Sequence, residues 1–143
     1  MRVNNMRELQ KAAQPILKKM INQMQDEVMV VLEQNIMHYY NGFTPQWYNR
    51  TMKFLASAIR IKPQCVNGQC VGAVCMNTNF IYKSGMPADV IMEWANEGLH
   101  GGLDVGDDSK FWDDTMRVLV MEKILIRTAK ECLRKAGFTV EVS

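Results

Sequence analysis

Tyr39-Tyr40-Asn41-Gly42-Phe43-Thr44-Pro45-Gln46-Trp47-Tyr48-Asn49-Arg50-Thr51 is the stretch on which the fold of this chain turns. Five aromatic side chains, Tyr39, Tyr40, Phe43, Trp47 and Tyr48, fall within ten positions. Aromatic rings carry large contact areas in cores and interfaces, and a surface loop gains nothing by concentrating them. The segment therefore reads as a packed junction, a contact surface, or both. It also separates two periodicities, a helical one before it and a strand-like one after it.

Upstream, Leu9, Ala13, Ile16, Met20, Met24, Val28 and Val31 recur at steps of three or four, which predicts a helix over residues 6–40. Gln14, Lys18, Gln25 and Glu33 fall on its other faces. Pro15 should kink this helix or mark its true start. From Pro15 to Tyr40 a straight helix spans about 40 Å, more than one small core covers, so part of it should project or pack on a neighbouring chain. Gly42 is a left-handed cap candidate. Thr44 and Pro45 should then start a short helix reaching about Ala56.

Downstream, Ala58 to Val66 and Gln69 to Asn77 flank Asn67-Gly68, the preferred two-residue hairpin turn. The second of these strands is apolar on both faces and should be buried. Pro63 places the first at an edge or a bulge. Pro87 starts a short helix through Met92 to Asn96, closed by Gly98. After the glycine-rich acidic loop from His100 to Ser109, a helix from about Lys110 to Ala136 carries Val118, Met121, Leu125, Ala129, Cys132 and Ala136 on its apolar stripe. Gly137 caps it, and Phe138 to Val142 alternates as a final strand. The expected architecture is a single α+β domain over residues 1–143. It has a long, projecting N-terminal helix, a small, mainly antiparallel sheet with a hairpin, a long C-terminal helix packed on that sheet, and a short last strand.

With 48% hydrophobic and 22% charged residues, the chain of 143 has an ordinary globular composition. Its length suffices to bury roughly two-thirds of the unfolded surface without a metal or disulfide staple. A net charge of +2 does not by itself argue for nucleic acid. No apolar run is long enough to span a membrane, and the polar start MRVNNMRELQKAAQP lacks a signal-peptide centre. Cytoplasmic folding is the expectation, and the four cysteines then read as thiols. Cys65, Cys70 and Cys75 follow one another at intervals of five, which does not fit zinc spacing, so small apolar filler is the expected role.

No nucleophile elbow, P-loop, dinucleotide fingerprint or paired-histidine metal helix is present. Asp107, Asp108, Asp113 and Asp114 do not match a calcium loop and are expected to favour the start of the following helix. His100 stands between Leu99 and two glycines, with no nucleophile or carboxylate partner indicated, and is expected to be structural. Lys123, Arg127, Lys130 and Arg134 step by four, three and four, giving the last helix a basic face. A solvated face is the plain expectation. The sharper one is a stripe facing phosphates or an acidic partner.

The segment YYNGFTPQWYNRTMKFLASAI resembles small neck and tail proteins of long-tailed phages, of the tail-completion or head-to-tail joining class. Tyr39, Tyr40, Pro45, Tyr48, Arg50, Thr51, Leu55, Ser57 and Ile59 carry the likeness. Trp94, Gly98, His100, Gly101 and Gly102 resemble a second segment of the same proteins, and FWDDTM a third. The likeness covers about residues 39 to 137; the cysteine-rich hairpin departs from it. It implies a virion structural protein with no catalytic residues, no metal and no cofactor. Such a protein builds a homo-oligomeric ring, commonly hexameric, where the tail meets the head. Tyr39, Tyr40, Pro45, Trp47, Tyr48, Arg50, Thr51, Trp94, His100, Gly101 and Gly102 would be fold and ring-contact residues. Implied partners are further copies of the chain, an adjacent head-connector or stopper ring, and tail tube proteins. Genomic DNA would pass through the lumen without sequence-specific binding, and no membrane is involved. Localisation would be the neck or tail of the virion, after assembly in the host cytoplasm. Two rivals from other classes are a cytoplasmic DNA-binding module using the basic face and a small redox or metal protein using the cysteines.

Overall fold

A computed structural model describes residues 4–45, 52–82 and 84–141. Helix α1 (Met6–Asn41) is the spine of the molecule, about 54 Å long at the usual rise. Asn5 caps it by accepting from the Glu8 N–H at 3.0 Å, while Glu8 accepts from the Asn4 N–H. Pro15 therefore lies inside the helix and does not start it. Then follow α2 (Lys53–Ala56), β1 (Ala58–Val66), β2 (Gln69–Met76), α3 (Ala88–Asn96), β3 (Leu99–His100), β4 (Leu103–Asp104), α4 (Phe111–Met121) and α5 (Ile124–Lys135). The α+β class holds. β1 and β2 form one antiparallel pair and β3 and β4 another.

Two apolar clusters line α1. At its C-terminal end Leu32, Ile36, Tyr39 and Tyr40 pack with Phe54, Ala88, Met92, Ala95 and Phe111. Lower down, Val31 meets Leu119 and Ile124. The predicted stripe began one end too early: Leu9 is exposed, whereas Gln25 is buried. The Gln25 amide donates to the carbonyls of Ile61 and Ala73, each at 2.8 Å, and so pins the hairpin on the helix. Arg60 and Asp26 add an exposed ion pair between the same elements, of small energetic weight.

The hairpin forms around Asn67 and Gly68, both at positive φ as a type I′ turn requires. Its register shifts between Ile61 and Gln64, so Pro63 sits at a bulge. β2 is less buried than its apolar sequence predicts, with Val71 67% exposed, because α1 covers one face of a sheet that has only two strands. Cys65 and Cys70 are not thiols but a disulfide. The register sets them directly opposite one another, one step above the turn. The hairpin itself implies the bridge, since a two-residue turn at Asn67-Gly68 makes Cys65 and Cys70 cross-strand neighbours. Cys75 and Cys132 are free. Breaking the bridge with Cys65→Ser and Cys70→Ser should lower stability by about 2 kcal/mol, the loop-closure entropy of so short a ring. Urea unfolding with and without reductant measures this, and thiol titration of the unreduced, denatured chain should count only Cys75 and Cys132.

Four further expectations are corrected. Gly42 is right-handed, at φ −70°. Thr44 and Pro45 themselves are not helical; residues 46–51, including Trp47, Tyr48, Arg50 and Thr51, lie outside the described residues, and beyond them α2 ends at Ala56. The C-terminal helix is two, because Lys123 takes a left-handed conformation at φ 52° and re-aims the chain so that Leu119 and Ile124 both face Val31. Both halves pack chiefly on α1, and Met121 of the predicted stripe is 74% exposed. Residues 138–141 form no strand and pair with neither small sheet.

Candidate functional site

The aromatic segment and the glycine-rich loop meet at the C-terminal end of α1. Tyr39 and Tyr40 are successive residues on that helix and share one T-shaped partner, Phe54, at 5.8 and 6.1 Å between ring centroids. Phe54 in turn meets Phe111 at 4.9 Å. The two hydroxyls reach the backbone of different segments: Tyr39 donates to the Leu99 carbonyl at 2.8 Å, and Tyr40 accepts from the Leu55 N–H at 3.0 Å. Each ring thus packs with its apolar body and anchors a chain segment with its polar tip.

His100 lies on this platform. Its ring stacks on Tyr39 with centroids 4.2 Å apart and planes 7° from parallel, and Phe43 approaches it at 5.2 Å. His100 Nε2 lies 2.7 Å from Asp107 Oδ2, and their side chains are 2% and 6% exposed. Asp107 also accepts from the Ser109 N–H and hydroxyl, both at 2.9 Å. The expectation that His100 has no carboxylate partner is therefore overturned: the six residues 101–106 loop round and bring one back. Gly42 explains itself here. A Cβ at that position would overlap the Asp107 carboxylate, so glycine serves close approach and not a left-handed cap.

Burial pushes the Asp107 carboxyl upward, but the hydrogen bonds from His100 and Ser109 and the charge of His100 outweigh it, leaving the group below the ordinary carboxylate range. A carboxyl whose folded value is depressed stabilises the fold above its unfolded value of about 3.9, and that contribution is lost as pH falls through the folded value. Acid unfolding should accordingly set in below about pH 4, and Asp107→Asn should flatten this limb in a pH series of urea midpoints.

Ser109, His100 and Asp107 do not form a nucleophile, base and orienter. The Ser109 hydroxyl bonds the carboxylate and not the imidazole, whereas activation requires the nucleophile to reach the base. The two surface depressions described lie elsewhere, one bordered by Val30, Met37 and Leu55 and the other by Met92, Phe111 and Trp112. Among the described residues no group of three or more His, Cys, Asp or Glu is placed to hold a metal. What the arrangement does is tie α1, the β3–β4 loop and the start of α4 into one unit.

Of the predicted junction, Tyr39, Tyr40 and His100 come together directly. Trp94 lies against Gly102, where a Cβ would stand 3.3 Å from its ring. Gly101 shapes the turn with open space around it, and Pro45 lies in the non-helical stretch after α1. Sequence reasoning does not single out Phe54 and Phe111; it places Asp107 among the acidic residues before the last helix and not as the partner of His100, and Gln25 off the apolar stripe. Nothing local marks Phe54 or Gln25 as buried. The basic face is shortened. Lys123 precedes α5 in its left-handed turn, which leaves Arg127, Lys130 and Arg134 on the helix. Asp114, from the acidic cluster, accepts from the Lys110 N–H at 3.0 Å, so it caps α4 as expected, while Asp107 is drawn away to His100.

A protein-family model, YomN, matches residues 5–135. No curated protein and no solved structure matches the chain.

Proposed function

We propose, for a chain that belongs to the YomN family, a phage-derived family of Bacillus proteins, a structural role in the virion. In this role the protein assembles into a homo-oligomeric ring, of six subunits by the resemblance, at the head-proximal end of the tail. There it joins or completes the tail between a head-connector ring and the tail tube, with the genome passing through its lumen. It works without catalysis or cofactor.

The observation that carries this reading is the uncovered start of α1. Residues 4–9 are exposed, with Met6 68% and Leu9 44% exposed, and the hairpin turn first meets the helix at Gln10, whose side chain lies beside Gly68. Exposed apolar groups at the end of such a helix are suited to a neighbouring copy. The buried tie at the other end of α1 supports the same role, since a subunit that bears load between rings gains from a rigid body. Sedimentation velocity over a concentration series, with negative-stain electron microscopy of the largest species, tests it. Closed rings support the role, and a monomer at every concentration up to the millimolar range overturns it. Quantitative mass spectrometry of purified virions then checks that the protein is present at ring stoichiometry.

A DNA-binding module is the second reading. Arg127, Lys130 and Arg134 form no ion pair among the described residues. Duplex affinity of the monomer that falls steeply with salt would favour it.

A further inference from the structure

Charge is segregated along α1. At its C-terminal end the packed body exposes Asp89, Glu93 and Glu97 on α3, Asp104 and Asp108 on the following loop, and Asp113 on α4. None of these six takes part in an ion pair among the described residues; of the exposed bases on the same body, Lys53 lies over Phe80 and Arg117 is paired with Asp114, which leaves Lys110 beside them. At the other end, α1 exposes Arg7, Lys11, Lys18 and Lys19. The acid among them, Glu8, is engaged by the Asn4 N–H. The positive end of the helix dipole adds to the basic set.

Lys11 and Tyr40 are about 44 Å apart along the helix axis at the usual rise, several screening lengths at physiological salt. The two ends therefore do not neutralise each other within one subunit. Each also presents apolar surface beside its charges: Leu103, 64% exposed, and Val105 at the acidic end, and Met6 and Leu9 at the basic end. An apolar centre with a charged rim is the ordinary anatomy of an interface.

We infer that the occupant of each end is a second copy of this chain, docked head to tail, with the basic start of α1 seated on the acidic surface formed by α3, the β3–β4 loop and the start of α4. Charge complementarity selects this partner and this orientation. Two copies meeting acidic end to acidic end, or basic to basic, would set like charges against each other; an antiparallel pair that engages both ends at once would stop at two copies, and growth beyond a dimer in sedimentation excludes it. A heterologous contact leaves a free end on every subunit and propagates until the rotation closes into a ring. The inference rests on the self-assembling role proposed above and names its contact.

The test is a charge swap read by sedimentation. One variant carries Lys11→Glu, Lys18→Glu and Lys19→Glu; the other carries Glu93→Lys, Glu97→Lys and Asp108→Lys. All six positions are exposed, and circular dichroism melting confirms that each variant folds. Each alone should need at least about tenfold more protein to assemble, because one end now repels its neighbour. Mixed in equal amounts, the two should assemble again, since each then meets an oppositely charged partner at both ends. The sixfold variant should assemble unaided. Wild-type assembly should weaken as salt rises. Folded single-end variants that assemble like wild type overturn the inference while leaving the ring intact. Folded single-end variants that stay apart when mixed overturn it as well. A wild-type protein that never assembles overturns both the inference and the ring.

Discussion

Phe111→Ala should destabilise the protein by about 3–5 kcal/mol, the range for deleting a buried aromatic ring. At this chain length that lowers the melting temperature by roughly 10–15 °C. Phe111 is 2% exposed and stands edge-on to Phe54 at 4.9 Å. It is also the first residue of α4, so one side chain joins the start of that helix to the aromatic platform of α1. Removing it leaves a cavity bordered by Phe54 and Trp112, whose rings cannot both close over the space without leaving their partners. Phe138→Ala, at a ring 45% exposed, is the comparison and should stay within about 0.5 kcal/mol of wild type. Thermal melting by circular dichroism reads both. Equal melting temperatures for the two variants would show that the aromatic junction is not where the stability lies.

Gly98→Ala should cost on the order of 3 kcal/mol or more, the sum of left-handed strain and overpacking. Gly98 has φ +76°, and a Cβ there would overlap the Asp107 carbonyl oxygen, a backbone atom that cannot swing aside. The Asp107–Ser109 segment would be pushed off His100, so the loss reaches the buried tie as well as the turn. Gly101→Ala separates the two causes. Gly101 is also left-handed, at φ +60°, but nothing stands within 4 Å of its Cβ position, so the conformational cost of about 1–2 kcal/mol should appear alone. Denaturant midpoints measure the difference, and the His100 imidazole resonances report whether the Asp107 contact survives. Similar losses at the two glycines would mean that the close approach at Gly98 carries no weight.

The elements legible in the sequence were those whose signals are local. The Asn67-Gly68 turn demanded positive φ at two successive residues, and the hairpin stands where it points. Pro87 and Gly98 bracket α3. The step of three and four in the N-terminal third predicted α1, although its buried face is shifted toward Gln25, Leu32 and Ile36. The aromatic junction was legible in part: Tyr39, Tyr40 and His100 do meet, while Trp47, Tyr48, Arg50 and Thr51 lie outside the described residues. The break at Lys123 was not legible, because neither a glycine nor a proline marks it. The sharp turn of an ordinary lysine is enforced by Leu119 and Ile124 both seeking Val31. The disulfide is legible in the register, because the Asn67-Gly68 turn sets Cys65 opposite Cys70.

By itself, then, the sequence determined the α+β class, the long first helix, the hairpin and its turn, and the concentration of rings at one junction. Periodicity, turn chemistry and composition act over a few residues and need no partner. Tertiary structure alone decided the pairing of His100 with Asp107, the seating of the Asp107 carboxylate against Gly42, and the burial of Gln25 between two strands. It also decided the separation of acidic and basic surfaces to opposite ends of α1. Each of these depends on which distant segments share a volume. Hydrogen bonding and close packing between segments are settled only when α1 has brought them together.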